Sequence, residues 1–313
     1  HVLGSPGGYP VYLKRWTRMG QARDEILESL LLLGEPEAVV AVVNAGGLTD
    51  EIARRAWWTV QSAENARCML RQRSVVEGDM GPVLAEFLVE FLPFEEEAGN
   101  MIDSVRLVLQ TGLVSAKTRQ ELWERGRSRN AYYVGFLRAL PDALPDPLDP
   151  HPAWEETCRK LAALIDEDDP HARQLCRLMS AQGQTFLGTI RSVLEKPSNQ
   201  DVIVSLLHAI SAYFESVRPA GERSDDIEGI VRAAETMDVP DTDSWLNAAS
   251  FRRLIEAVPE HSGMVKAMLA MSMLDEPVVN PIFSRTDAVG SVMRKKLRPV
   301  SGPVHGLIDI LTS

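Results

Sequence analysis

Residues 34–47, GEPEAVVAVVNAGG, and residues 80–92, MGPVLAEFLVEFL, decide the fold class. In the first, Gly34 ends one helix and Glu35-Pro36 opens the next, with proline at the first helical position, where its missing N–H costs nothing. Asn44-Ala45-Gly46-Gly47 then closes that helix, because asparagine and glycine accept the left-handed backbone that stops one. Thr49 and Ser62 have the side chains of N-caps for two further short helices. In the second stretch, with Pro82 just inside its start, Val83, Leu84, Phe87, Leu88, Phe91 and Leu92 form a doubled i, i+4 stripe. Such a stripe needs burial on two sides or beneath a neighbour's full face. Helices this short do not hold alone in water and need stacking partners. Gly34 to Pro93 therefore reads as four short helices set back to back, the pattern of an α-solenoid.

Outward from this stretch the helical period continues. Upstream, Ile26, Leu27, Leu30, Leu31 and Leu33 make the apolar face of a helix ended by Gly34, preceded by turn chemistry at Gly4 to Gly8 and a basic, aromatic run around Lys14, Arg15, Trp16 and Arg18. Downstream, helices are expected over 95–109, 115–125 and 130–140. The pairs Trp57-Trp58 and Tyr132-Tyr133 suggest stacking platforms, but adjacent helical positions point about 100° apart, so packing is the expected use. Pro141 to Pro152 holds five prolines in twelve residues, with three aspartates between them. Proline forbids a continuing helix, so the expected organisation is a helical-repeat region over 1–140, a Pro-rich linker over 141–152 and a C-terminal helical region over 153–313. In that last region 153–165 and 171–194 read as a helical hairpin turned by Asp166 to Pro170. Helices over 199–217, 224–237 and 241–258 follow, then a methionine-rich helix carrying Met264, Met268 and Met271, a helix over 286–297, and a final short one starting at Pro303. No strict repeat is visible. Helix-pair periods near 30 to 45 residues fit HEAT-like spacing, and the expected fold is all-α, with HEAT-like or solenoid repeats followed by a less regular bundle.

Composition bounds function. The 313 residues are 45% hydrophobic and 25% charged, an ordinary globular balance with room for a sizeable core. A formal net charge of -11 makes the chain a poor polyanion binder, so nucleic acid is an unfavoured partner; the basic cluster Arg294 to Arg298 reads as a solvated helix face. No apolar run reaches the length of a membrane span. The chain begins at His1 without methionine and reads as part of a longer protein.

The chemistry-bearing residues are few. No nucleophile elbow, metalloprotease helix, dinucleotide fingerprint or phosphate loop occurs, so no enzyme activity, cofactor or metal is expected. His208 and His261 have no partner nearby in sequence. Cys68, Cys158 and Cys176 make no disulfide framework in so long a chain, which points to a reducing compartment. Cys158 and Cys176 do stand six to eight residues either side of the acidic turn. In an antiparallel pair they come to similar depth and face each other as a candidate thiol pair, with His151 and His171 near enough to suggest a metal site. Buried free cysteine more commonly packs as a small apolar residue, and that is the expected role.

The runs 1–20 (HVLGSPGGYPVYLKRWTRMG), 33–40 (LGEPEAVV), 53–58 (ARRAWW), 83–94 (VLAEFLVEFLPF) and 130–136 (NAYYVGF) resemble the DsrS family, accessory proteins encoded with the dissimilatory sulfur-oxidation genes of purple and other sulfur bacteria. The resemblance is clearest from His1 to about Leu144. It implies a cytoplasmic protein that supports sulfur oxidation and carries over no catalytic residue. The functional expectation is a binding or regulatory scaffold for a protein partner of sulfur metabolism or its regulation. The alternative is a thiol-based sulfur carrier or redox protein using Cys158 and Cys176; a carrier cysteine must be partly exposed, so burial of both would count against it.

Overall fold

The computed structural model describes residues 24–219, 224, 226–236, 248–285 and 290–313. Among them the fold is all-α, without a strand. The basic run at Lys14 to Arg18, the Gly4 to Gly8 loop and the expected helix start near Asp241 lie outside the described residues. The chain divides into two compact units at Glu121/Leu122, inside a helix.

In the first unit, α1 (Asp24–Leu31), α2 (Pro36–Val43), α3 (Asp50–Thr59), α4 (Ala63–Met69), the single turn α5 (Arg73–Val76), α6 (Met80–Phe91) and α7 (Ala98–Val108) follow one another through short turns. The expected signals operate. Gly34 and Gly47 take φ of +67° and +80°, and Thr49 and Ser62 cap α3 and α4 by accepting from Ile52 N and Asn65 N at 3.4 and 3.2 Å. The expected four helices become five because 73–76 forms its own turn. Packing is local: α1 meets α2 and α3, α2 meets α3 and α4, and α4 meets α6 and α7. One polar tie is buried among them. Arg67 of α4 holds Glu95 at 3.0 Å, and its Nη1 also donates to Ser104 of α7 at 3.3 Å. At the surface, Arg71 and Arg106 grip Asp103 at 2.6 and 2.7 Å. Burial pushes that carboxyl up, but the two guanidiniums outweigh it and hold it below the ordinary aspartate range.

The division between the units falls in α8 (Ala116–Arg125), whose Trp123 packs in the second unit on Tyr133 and Phe136 of α9 (Ala131–Ala139). The segment expected as a linker, 141–152, is a strap inside this unit. Its five prolines leave seven N–H groups, and three of these find acceptors on the helices beneath: Leu144 N donates to Gln182 Oε1 (2.8 Å), Leu148 N to Thr185 Oγ1 (2.8 Å) and His151 N to Met179 O (2.8 Å). Arg177 adds a bidentate bond to Asp142, 2.6 Å on both arms.

After the strap come α10 (Trp154–Lys160), α11 (Ala162–Asp166), α12 (Pro170–Met179), α13 (Ala181–Glu195), α14 (Gln200–Tyr213), α15 (Ile227–Thr236), α16 (Ala248–Ala257), α17 (Ser262–Ser272), the short α18 (Asn280–Phe283) and α19 (Gly290–Thr312). Three expectations change here, the first being that the helix expected over 153–165 is divided at Leu161 into α10 and α11. The helix expected over 171–194 breaks at Ser180, which is extended, accepts from Gly183 N at 3.2 Å and so starts α13 afresh. Conversely, the stop expected before Pro303 does not occur. α19 runs straight through Pro299 and Pro303, because Val300, Val304, Leu307, Ile308 and Leu311 are buried along one side, and that burial outweighs the lost amide donors. α19 packs on α12, α13, α15 and α17, and Gln184 Nε2 donates to its Leu311 carbonyl at 3.2 Å. Met264, Met268 and Met271 of α17 are buried against this arrangement, so the methionine stripe is core.

Candidate functional site

The cysteine pair stands in the second unit, on α10 and α12. Asp169 caps α12: its Oδ1 accepts from His171 N and Ala172 N at 2.9 and 3.0 Å, and its own N–H closes the turn on Leu164 O at 3.0 Å. Leu161, Leu164, Leu175, Leu178 and Met179 are buried between the helices and the rest of the unit. This brings Cys158 and Cys176 together as a disulfide, with Cα atoms 5.6 Å apart, in the usual range for such a bond. Both residues are half-buried. The expectation of two free thiols packed as core residues is thereby corrected: the stripes bury leucines and leave the cysteines at the margin of the interface. Trp154, one turn before Cys158, donates its indole N–H to the carbonyl of Cys176 at 3.0 Å.

The histidines expected near this pair are engaged elsewhere. His151 Nδ1 accepts from Ala153 N at 3.2 Å, so its proton is on Nε2, which lies 2.7 Å from the Ser313 carbonyl oxygen. His171 Nδ1 lies 2.8 Å from Ser250 Oγ, and Ser250 donates to Asp169 Oδ2 at 2.6 Å, so the imidazole donates to the serine. Burial holds His171 below the ordinary imidazole pKa, with Asp169 pulling weakly the other way. Aspartate, serine and histidine meet here, but the serine stands between carboxylate and imidazole. A nucleophilic triad needs the imidazole in the middle, so this is a capping network. His261 Nε2 is 3.0 Å from Thr157 Oγ1, and His208 Nε2 is 3.2 Å from Glu276 Oε2, a partner distant in sequence. Among the described residues no three metal-ligating side chains converge.

The first unit carries a different feature. The doubled stripe of α6 splits. Leu84, Leu88 and Leu92 are buried, whereas Val83, Phe87 and Phe91 form an outward ridge continued by Phe94, which is 76% exposed. Phe87 is half-buried because Trp57 meets it edge-on at 4.8 Å, and Phe91 stacks on Phe87 at 6.1 Å. The full burial expected for this stripe does not occur within the described residues. Glu86 and Glu90 flank the ridge without an ion pair among the described residues. The tryptophan pair divides as helical geometry requires: Trp57 is buried, and Trp58 is 83% exposed beside a cleft of about 400 Å³ lined by Leu31, Leu32, Arg54 and Arg55. Leu32 itself is 88% exposed. Sequence reasoning found the α6 stripe and missed its exposure, since periodicity names an apolar face and not what covers it.

The basic residues Arg294, Lys295 and Arg298 share an exposed side of α19, with Lys296 turned away from them. Among the described residues no helix is long and apolar enough to cross a membrane. The chain matches no protein-family model, no curated protein and no solved structure.

Proposed function

We propose that this protein is a non-enzymatic binding scaffold, acting in the cytoplasm in support of sulfur oxidation as its resemblance to the DsrS family implies, and that its first unit docks a protein partner. The observation that carries the reading is the ridge Val83-Phe87-Phe91-Phe94. An aligned aliphatic and aromatic face on an ordered helix is unusual on a soluble surface unless something binds it, and aromatic residues anchor interfaces disproportionately. Glu86 and Glu90 along its edge suit a partner that sets basic residues around an apolar helix face. The local packing of the first unit fits the HEAT-like expectation, because stacked short helices leave one long flank open to partners.

The test is capture of partners from sulfur-grown cell extract on the full chain and on a Phe91→Asp/Phe94→Asp variant, read by mass spectrometry. Both phenylalanines are exposed, so the variant keeps its helical circular dichroism. The expected result is a sulfur-metabolism or regulatory protein retained by the parent and lost from the variant. A partner held equally by both would remove the ridge from the function.

A further inference from the structure

We propose that Cys158 and Cys176 form a dithiol–disulfide exchange site that takes electrons from thiol donors and returns to the disulfide without refolding. Three observations carry it. First, the bond lies at the margin of the α10/α12 interface with both residues half-buried, so an attacking thiolate has a side from which to approach. Second, the hairpin is closed by groups other than the sulfurs. Trp154 Nε1 to Cys176 O, the two amide bonds to Asp169 and the Asp169 N to Leu164 O bond all persist when the disulfide opens, as does the leucine packing. The reduced thiols stay facing each other, held at high effective concentration for re-formation. Third, an arginine borders each sulfur in the chain: Arg159 directly follows Cys158, and Arg177, held by Asp142, directly follows Cys176. Positive charge stabilises a departing thiolate, so either sulfur can be attacked while the other leaves.

The exchange balances as follows. A donor thiolate bonds to one of the two sulfurs, for example Cys158 Sγ, as the Cys158–Cys176 bond breaks, and the other cysteine leaves as thiolate and takes a proton from water. A second donor thiolate attacks the donor sulfur of the mixed disulfide, releasing Cys158, which is protonated in turn. Two donor thiols are oxidised to one disulfide while the pair gains two electrons and two protons. The site is independent of the ridge on the first unit, and nothing in the docking reading depends on it.

The experiment equilibrates the intact chain in reduced and oxidised glutathione mixtures under native conditions, traps thiols with N-ethylmaleimide and locates adducts by peptide mapping, so that Cys68 is counted apart. The expected result is that Cys158 and Cys176 become labelled together as the buffer turns reducing, lose the label on return to oxidised glutathione, and keep the helical signal throughout. In Cys176→Ser, glutathione disulfide should leave a stable mixed disulfide at Cys158. Labelling that requires denaturant, loss of the helical signal on reduction, or a folded Cys176→Ser chain without the adduct would each overturn the exchange.

Discussion

The two units solve the same problem, burying the apolar faces of short helices, in opposite ways. In the first, the described helices pack mainly on others one to three elements away in the chain. In the second, the last helix is the hub: α19 reaches back to α12, α13, α15 and α17, and the strap at 141–152 is tied down by residues of α12 and α13. Among the described residues this local packing leaves the phenylalanine ridge uncovered. Closure around a terminal helix leaves the unit's chemistry at the margins of its core, which is where the disulfide stands.

The contrast can be broken most decisively at Arg67. Replacing it by alanine removes the arginine of a buried ion pair, leaving the Glu95 carboxylate with weaker partners such as Glu97 N, and should cost about 3–5 kcal/mol. If packing is local, hydrogen exchange should quicken mainly in α4, α6 and α7; acceleration spread evenly through the first unit would contradict the stacking account. Ile308→Ala, at a fully buried position of the hub, should cost about 2–5 kcal/mol. Its accelerated exchange should extend through α12, α13, α15 and α17, and a response confined to α19 would show that this helix is peripheral. The smallest effect sharpens the comparison by pH. Burial lowers the folded pKa of His171 and, less deeply buried, of His261, so the second unit favours both as neutral imidazoles. That stability is present above the ordinary histidine pKa of about 6.5 and is lost as pH falls from there through the lower folded values. The melting temperature should therefore drop between neutral and mildly acidic pH, and His171→Gln should flatten the slope without removing the share due to His261. An unchanged slope would take the His171–Ser250–Asp169 network out of the account.

Much of this was legible in the residues, for identifiable reasons. The caps at Thr49 and Ser62, the stops at Gly34 and Gly47 and the division of Trp57 from Trp58 depend on interactions within one turn, so spacing alone reports them. The approach of Cys158 to Cys176 followed from an antiparallel hairpin and equal distances from its turn. What spacing could not report was burial. The cysteines were expected in the core and lie half-exposed; the α6 stripe was expected covered and is half open.

Turn chemistry and helical period are local properties, so residue spacing alone reports the all-α class, where most of the described helices begin and which faces are apolar. Packing against distant elements carries α19 through two prolines and binds the proline-rich strap to the second unit. The same packing sets how deeply the two cysteines lie and which phenylalanines stay outside among the described residues. Each of these outcomes rests on groups tens of residues apart, whose burial free energy outweighs the local preference, and no local reading contains that sum.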